Sequence, residues 1–164
     1  MTEEATEKSA AMDQVEYHSA LAKGLTIGRY KILAVLGEGG FGITYLAKDS
    51  LDRTVVIKEC FPNALCRRST SLVRARSRKH QGDFRGFVES FVAEAKSLAR
   101  LVHPNIVGVH QVFEDNDTAY MAIDYIDGRD LHDILDSTDQ AFSPDQVVAM
   151  LRRMLSAAEA SDQA

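Results

Sequence analysis

At 164 residues and 45% hydrophobic composition, the chain can bury the core of one domain, or of one domain and part of a second. A net charge of −5 argues against a general nucleic-acid binder, whose footprint is basic, although it leaves room for a local basic patch. No apolar run approaches a membrane span, and the polar, mostly acidic start MTEEATEKSAAMDQ lacks the basic and apolar parts of a signal peptide. The expected compartment is therefore the cytoplasm, with neither membrane nor nucleic acid as partner.

Residues 1–24 carry many charges without sustained periodicity and are expected to form a disordered acidic tail, with at most a helical turn near Val15 to Leu21. Order is expected to begin near Ile27. RYKILAVL reads as a strand, GEGGFG as a turn and ITYLA as a second strand. KDSLDR then turns the chain into TVVIK (Thr54 to Lys58), a third, β-branched strand.

The pattern breaks over the insertion 59–82, where RRSTSLVRARSRK carries six Arg or Lys and no acid. Three readings stand there: a solvated insertion, a docking surface for an acidic partner, or a phosphorylation site at Ser69 or Thr70 behind Arg67 and Arg68. Cys60 and Cys66 lack partners at zinc-site spacing and read as buried reduced thiols. Cys60 lies two residues past Lys58, which leaves electropositive activation open.

The clearest helix is GDFRGFVESFVAEAKSLARLVHPN, with Phe84, Phe87, Val88, Phe91, Val92, Ala95, Leu98 and Leu101 recurring at steps of three and four; it must stop before Pro104. Two more strands follow, IVGVHQVFED and AYMAIDYI, joined by the turn DNDT. After a short helix, DLHDIL, comes SPDQVVAMLRRMLSAAEA, with Ser143 as cap and Pro144 at the first helical position. The pattern is α+β: a five-stranded antiparallel sheet with one helix between its third and fourth strands.

Four glycines within six positions imply that something approaches this backbone closely, and a phosphate is the leading candidate. A dinucleotide fingerprint must open a helix, but here a strand follows. A P-loop fits Gly37, Gly42 and Thr44, but Ile43 stands where its lysine must be. In protein kinases the glycines form a hairpin over the nucleotide phosphates and a lysine reaches them from the next strand. Lys58 ends that strand. Alone, a strand-end lysine reads as merely solvated. Glu94, however, falls on the line Phe87, Phe91, Glu94, Leu98, where a carboxylate needs a partner, and Lys58 is the expected one.

Through GEGGFG, VVIK, FVAEAKSLARLVHPNIV and YMAIDYIDGRDL, in that order from about Arg29 to Leu155, the chain resembles the N-terminal, ATP-binding lobe of a bacterial-type serine/threonine protein kinase. IKECFP also resembles the start of an insertion found in one group of these kinases. The resemblance implies an N-lobe over 25–126, followed by a hinge and the first helices of an incomplete C-lobe over 127–164. It implies ATP bound by Leu36, Gly37, Glu38, Gly39, Gly40, Phe41, Gly42, Thr44, Val56 and Lys58, with Glu94 orienting Lys58. Thr44 stands where the family commonly has Val over the adenine. Ile123 becomes the gatekeeper, the Asp124 carbonyl and Ile126 amide meet the adenine edge, and Asp130 meets the ribose unless it only caps a helix. Asp127, Asp133, Asp136 and Asp139 continue an acidic series that could attract a basic substrate peptide. His103 is expected to be a structural loop residue.

Neither H-R-D nor A-P-E occurs, and the only approach to D-F-G, DFRG at Asp83, precedes the helix. Mg²⁺ and a protein substrate are accordingly expected of a complete enzyme, while this chain is expected to be inactive alone. Two readings stay open: a fragment of a longer kinase, or a stand-alone non-catalytic nucleotide- or partner-binding protein. Val147, Val148, Met150, Leu151, Met154 and Leu155 make an apolar stripe that a C-lobe or a second copy is expected to cover.

Overall fold

The computed structural model describes residues 19–137 and 142–162; residues 1–18 of the tail expected over 1–24, and Asp139, lie outside them. Among the described residues eight strands form: β1 (Thr26–Ile27), β2 (Tyr30–Glu38), β3 (Gly42–Lys48), β4 (Thr54–Cys60), β5 (Cys66–Ser69), β6 (Leu72–Ala75), β7 (Val109–Asp115) and β8 (Thr118–Asp124). The helices are α1 (Gln81–Leu98), α2 (Leu131–Asp136) and α3 (Pro144–Asp162). β1-β2-β3-β4-β8-β7 make one six-stranded sheet, antiparallel at every pairing, and β5-β6 a separate hairpin. The five expected strands are present. The two-residue β1 extends the sheet to six, and the hairpin lies inside the basic insertion 59–82, where no strand was expected.

Alternation along the strands decides which face is buried. Ile43, Tyr45 and Ala47 of β3 and Val55, Ile57 and Glu59 of β4 point into the core, where they meet Tyr30, Ile32, Tyr120 and Ala122. The Phe113 ring stacks between Tyr30 and Tyr120, with centroids 5.5 and 5.3 Å away. Phe84 of α1 joins this cluster and Val88 packs on it. Order begins earlier than the sequence suggested: Leu21 is buried, and its amide donates to the Tyr45 hydroxyl at 3.1 Å.

Turn chemistry fixes the register. Asn116 and Asp117 both adopt left-handed backbone (φ 51° and 60°), which suits the two-residue turn between β7 and β8. In the β3–β4 turn, Asp49 accepts from the amides of Leu51 (2.8 Å) and Arg53 (3.0 Å) and from Arg53 Nε (2.8 Å). Burial alone would raise the Asp49 carboxyl, but these hydrogen bonds and the Arg53 charge bring it below its ordinary value. At the start of α3, Ser143 Oγ accepts from the Gln146 amide (3.3 Å) and Gln146 Oε1 from the Ser143 amide (2.9 Å), a capping box.

The HPN loop behaves as a structural clasp. His103 Nδ1 accepts from the Asn105 amide at 3.1 Å, and its Nε2 pairs with Ser156 Oγ of α3 at 3.0 Å.

Candidate functional site

The glycine turn lies between β2 and β3, closed by the Gly39 amide donating to the Gly42 carbonyl at 2.9 Å. Its tip is held from below: the amides of Phe61 and Asn63, just past β4, donate to the carbonyls of Phe41 and Gly40, each at 3.2 Å. The Phe41 ring stacks nearly parallel on Phe87 of α1, 6.0 Å between centroids, and so ties the turn to the helix as well.

The glycines serve two purposes. A Cβ at Gly42 would come within 2.6 Å of the Glu59 carbonyl oxygen, so this glycine exists for the close approach of β3 to β4. At Gly37 and Gly40 a Cβ would meet nothing within 4 Å, and at Gly39 only a backbone oxygen at 3.9 Å. There the turn presents bare backbone to open space, a surface that a phosphate chain can approach.

Strand register assembles the remaining residues. Gly37 pairs with Thr44, Thr44 with Lys58 and Lys58 with Met121; in the neighbouring row Leu46 pairs with Val56 and Val56 with Ile123. Residues directly opposite share a face, so Thr44, Val56, Lys58 and Ile123 lie together on the face that the buried Tyr45, Ile57 and Glu59 leave. Lys58 is exposed and makes no ion pair or side-chain hydrogen bond among the described residues. An unpaired ammonium in register with bare glycine backbone is a donor set that fits a triphosphate.

Downstream, the Asp124 carboxylate accepts from the Gly108 amide (2.8 Å) and pairs with His110 Nε2 (2.8 Å), while the Asp124 amide donates to the Gly108 carbonyl. The residue implied to read adenine through its carbonyl is thus braced by its side chain. Ile126 is exposed. Asp130 Oδ1 accepts from the Asp133 amide at 2.7 Å, so this residue caps the N-terminus of α2.

Glu94 does not sit where the apolar line placed it. Ala95 is the buried residue on that part of α1; Glu94 is exposed and borders a crevice of about 270 Å³ with Leu98, Leu101 and Ser161 of α3. No ion pair joins Lys58 to Glu94 among the described residues. The physical reason is rotation: one residue is 100° of helix, and α1 turns Ala95 inward instead.

The buried carboxylate is Glu59, 1% exposed. Its Oε2 accepts from Tyr45 Oη and from Arg68 Nη2, both at 2.6 Å, and its Oε1 from Tyr120 Oη at 2.8 Å. Arg68 also donates to the carbonyls of Ser19 and Ser71, so the guanidinium is shared among three segments. Burial, and then the Glu59 charge, push both phenols well above their ordinary value. Period-two alternation along VVIKE already places Glu59 with Val55 and Ile57, a signal the sequence reading passed over for Lys58. Arg68 gave no such signal, since it stands inside a basic run.

Burial also pushes the Cys60 thiol to about 12 and the Cys66 thiol to about 11, which closes the electropositive-activation reading.

A meander carrying a glycine hairpin, a lysine on its third main strand and one helix crossing to the last two strands is the architecture of a kinase-type N-terminal lobe. The residue pattern of the protein kinase domain matches positions 30–160, and the chain belongs to that family. It is 34% identical over 147 residues to serine/threonine-protein kinase PksC of Streptomyces coelicolor, covering 85% of this chain and 23% of that protein. It is 35% identical over 137 residues to serine/threonine-protein kinase pkn3 of Myxococcus xanthus, covering 82% and 22%. Among solved structures, the apo form of PpkA-294 superposes with a TM-score of 0.68 at 35% identity, covering 72% of this chain and 43% of that one. The Mycobacterium tuberculosis PknI kinase domain superposes with a TM-score of 0.66 at 26% identity, covering 88% and 51%. The chain therefore spans less than a quarter of these curated relatives and about half of these solved kinase structures.

Proposed function

We propose that this chain is the ATP-binding lobe of a serine/threonine protein kinase, working in the cytoplasm on a protein substrate held by the rest of the kinase domain. The observation that carries this reading is Lys58, exposed and unpaired among the described residues, in register with Thr44 and Gly37 of a turn whose Gly37 and Gly40 leave open space. The backbone of Leu36 to Gly42 would hold the phosphates, and Lys58 would neutralise charge on them. Thr44, Val56 and Ile123 would enclose the base, with its edge on the Asp124 carbonyl and the Ile126 amide and the ribose near Asp130. ATP, when bound, supplies the phosphoryl group.

Glu94 would act by pairing with Lys58 after α1 turns toward β4, a motion that the Phe41–Phe87 stack links to the glycine turn. The 164 residues contain no catalytic-loop Asp and no D-F-G Asp for Mg²⁺, so binding without transfer is the activity proposed for this chain by itself.

The test is titration of the full chain with a fluorescent ATP analogue. Lys58→Met should weaken binding about tenfold or more, and Glu94→Ala severalfold, with unfolding midpoints unchanged. Equal affinity in Lys58→Met would overturn the reading. Adding the C-terminal half of a related kinase domain discriminates the two fates of the lobe: restored transfer means part of a longer kinase, and binding that never yields transfer means a non-catalytic nucleotide-binding protein.

A further inference from the structure

The basic insertion gathers four of its exposed arginines around one groove. In the β5–β6 hairpin Arg67 pairs directly opposite Arg74, two exposed like charges whose mutual repulsion an anion between them would offset. With Arg76 and Arg78 they line a groove of about 530 Å³, floored by Phe84 at the start of α1 and bordered by Asp117 of the β7–β8 turn. Arg76 is aimed by its Nε, which donates to the Asn63 carbonyl at 2.7 Å. Arg67, Arg74 and Arg78 make no side-chain hydrogen bond or ion pair among the described residues.

The platform beneath them is rigid. Cys66 and Val73 are buried, Arg68 is locked to Glu59 on the opposite side, and the Val73 amide donates to the Asn116 carbonyl at 2.8 Å.

From this geometry we infer that the groove binds a phosphorylated serine or threonine side chain in a polypeptide. A carboxylate carries one charge and can neutralise one guanidinium, whereas a phosphate carries nearly two and presents three acceptor oxygens, enough to reconcile the opposed Arg67 and Arg74. All four groove cations are arginine, whose planar fork suits bidentate contact with phosphate. Asp117 at the rim and the overall charge of −5 oppose a continuous polyanion such as RNA. The inference is independent of the nucleotide reading, because the groove shares no residue with Lys58 or the glycine turn.

The experiment is fluorescence anisotropy on the full chain with a labelled, neutral-flanked phosphoserine peptide. Comparison probes are its serine form, a form with two glutamates in place of phosphoserine, and a 20-nucleotide single-stranded RNA. The phosphopeptide should bind at least tenfold more tightly than any of the three. Arg67→Gln with Arg74→Gln should remove that preference, Arg78→Gln alone should weaken it severalfold, and Lys96→Gln, a charge lost elsewhere on α1, should leave it intact. Equal binding of the serine or diglutamate peptide, tighter binding of RNA, or full affinity in the doubly substituted protein would each overturn the inference. The three arginines are exposed, so their substitution leaves the core packing in place, and an unchanged unfolding midpoint checks this directly.

Discussion

Glu59 shows what a single residue can demand of a fold. Its charge is offset by one guanidinium and two phenols, and every buried side-chain polar atom among the described residues has a partner. Arg68→Ala would strand that carboxylate in the core and should cost about 3–5 kcal/mol in chemical denaturation. The phenols add a pH signature. Their native values are raised, so their contribution is fully present below the ordinary tyrosine value near 10 and is lost as pH climbs toward the native values. Stability should therefore fall above pH 10 by up to about 1.4 kcal/mol per pH unit for each tyrosine. Tyr45→Phe and Tyr120→Phe should each flatten that slope, and an unaltered slope would contradict the assignment.

The glycines allow a similar separation. Gly42→Ala places a Cβ against the Glu59 carbonyl and should destabilise the lobe by roughly 1–3 kcal/mol. Gly40→Ala meets nothing, should leave the unfolding midpoint in place, and should weaken ATP binding alone.

At the scale of elements, the sheet was legible because its strands alternate and its turns carry Gly, Asn and Asp. TVVIK and AYMAIDYI are β-branched or aromatic runs, and DNDT supplies the two left-handed residues its turn requires. The β5–β6 hairpin was illegible for an equally physical reason: its inward position, Arg68, is a charge whose burial makes sense only with Glu59 opposite. Its turn is also poorly signalled, since Thr70, a β-branched residue, takes a φ of 60°. Thr70→Gly should relieve that strain and stabilise the chain by about 1 kcal/mol in thermal denaturation. On α1 the period was legible but the phase was not: the stripe is wide enough that Glu94 and Ala95 competed for the inward direction, and packing against β7 and β8 decided for Ala95. Thr44, Val56, Lys58 and Ile123, by contrast, come to one face through strand register alone, which alternation along the strands made legible.

For the whole molecule, α3 is the telling part. His103 and Asn105 clasp it to the lobe, yet Val147, Val148, Leu151, Met154 and Leu155 remain exposed along it. In the isolated chain this stripe should drive concentration-dependent association in light scattering, reduced by Leu151→Lys together with Met154→Lys; a monomer at all concentrations would count against it. The central claim concerns the glycine turn and Lys58, which strand register joins through Thr44. Amide hydrogen exchange of the full chain with and without MgATP tests it most directly. The account predicts slowed exchange in Leu36 to Thr44 and in Ile123 to Ile126, with the Cys66–Ala75 hairpin unaffected. Exchange unchanged by nucleotide throughout the glycine turn, or slowed only at the hairpin, would contradict it.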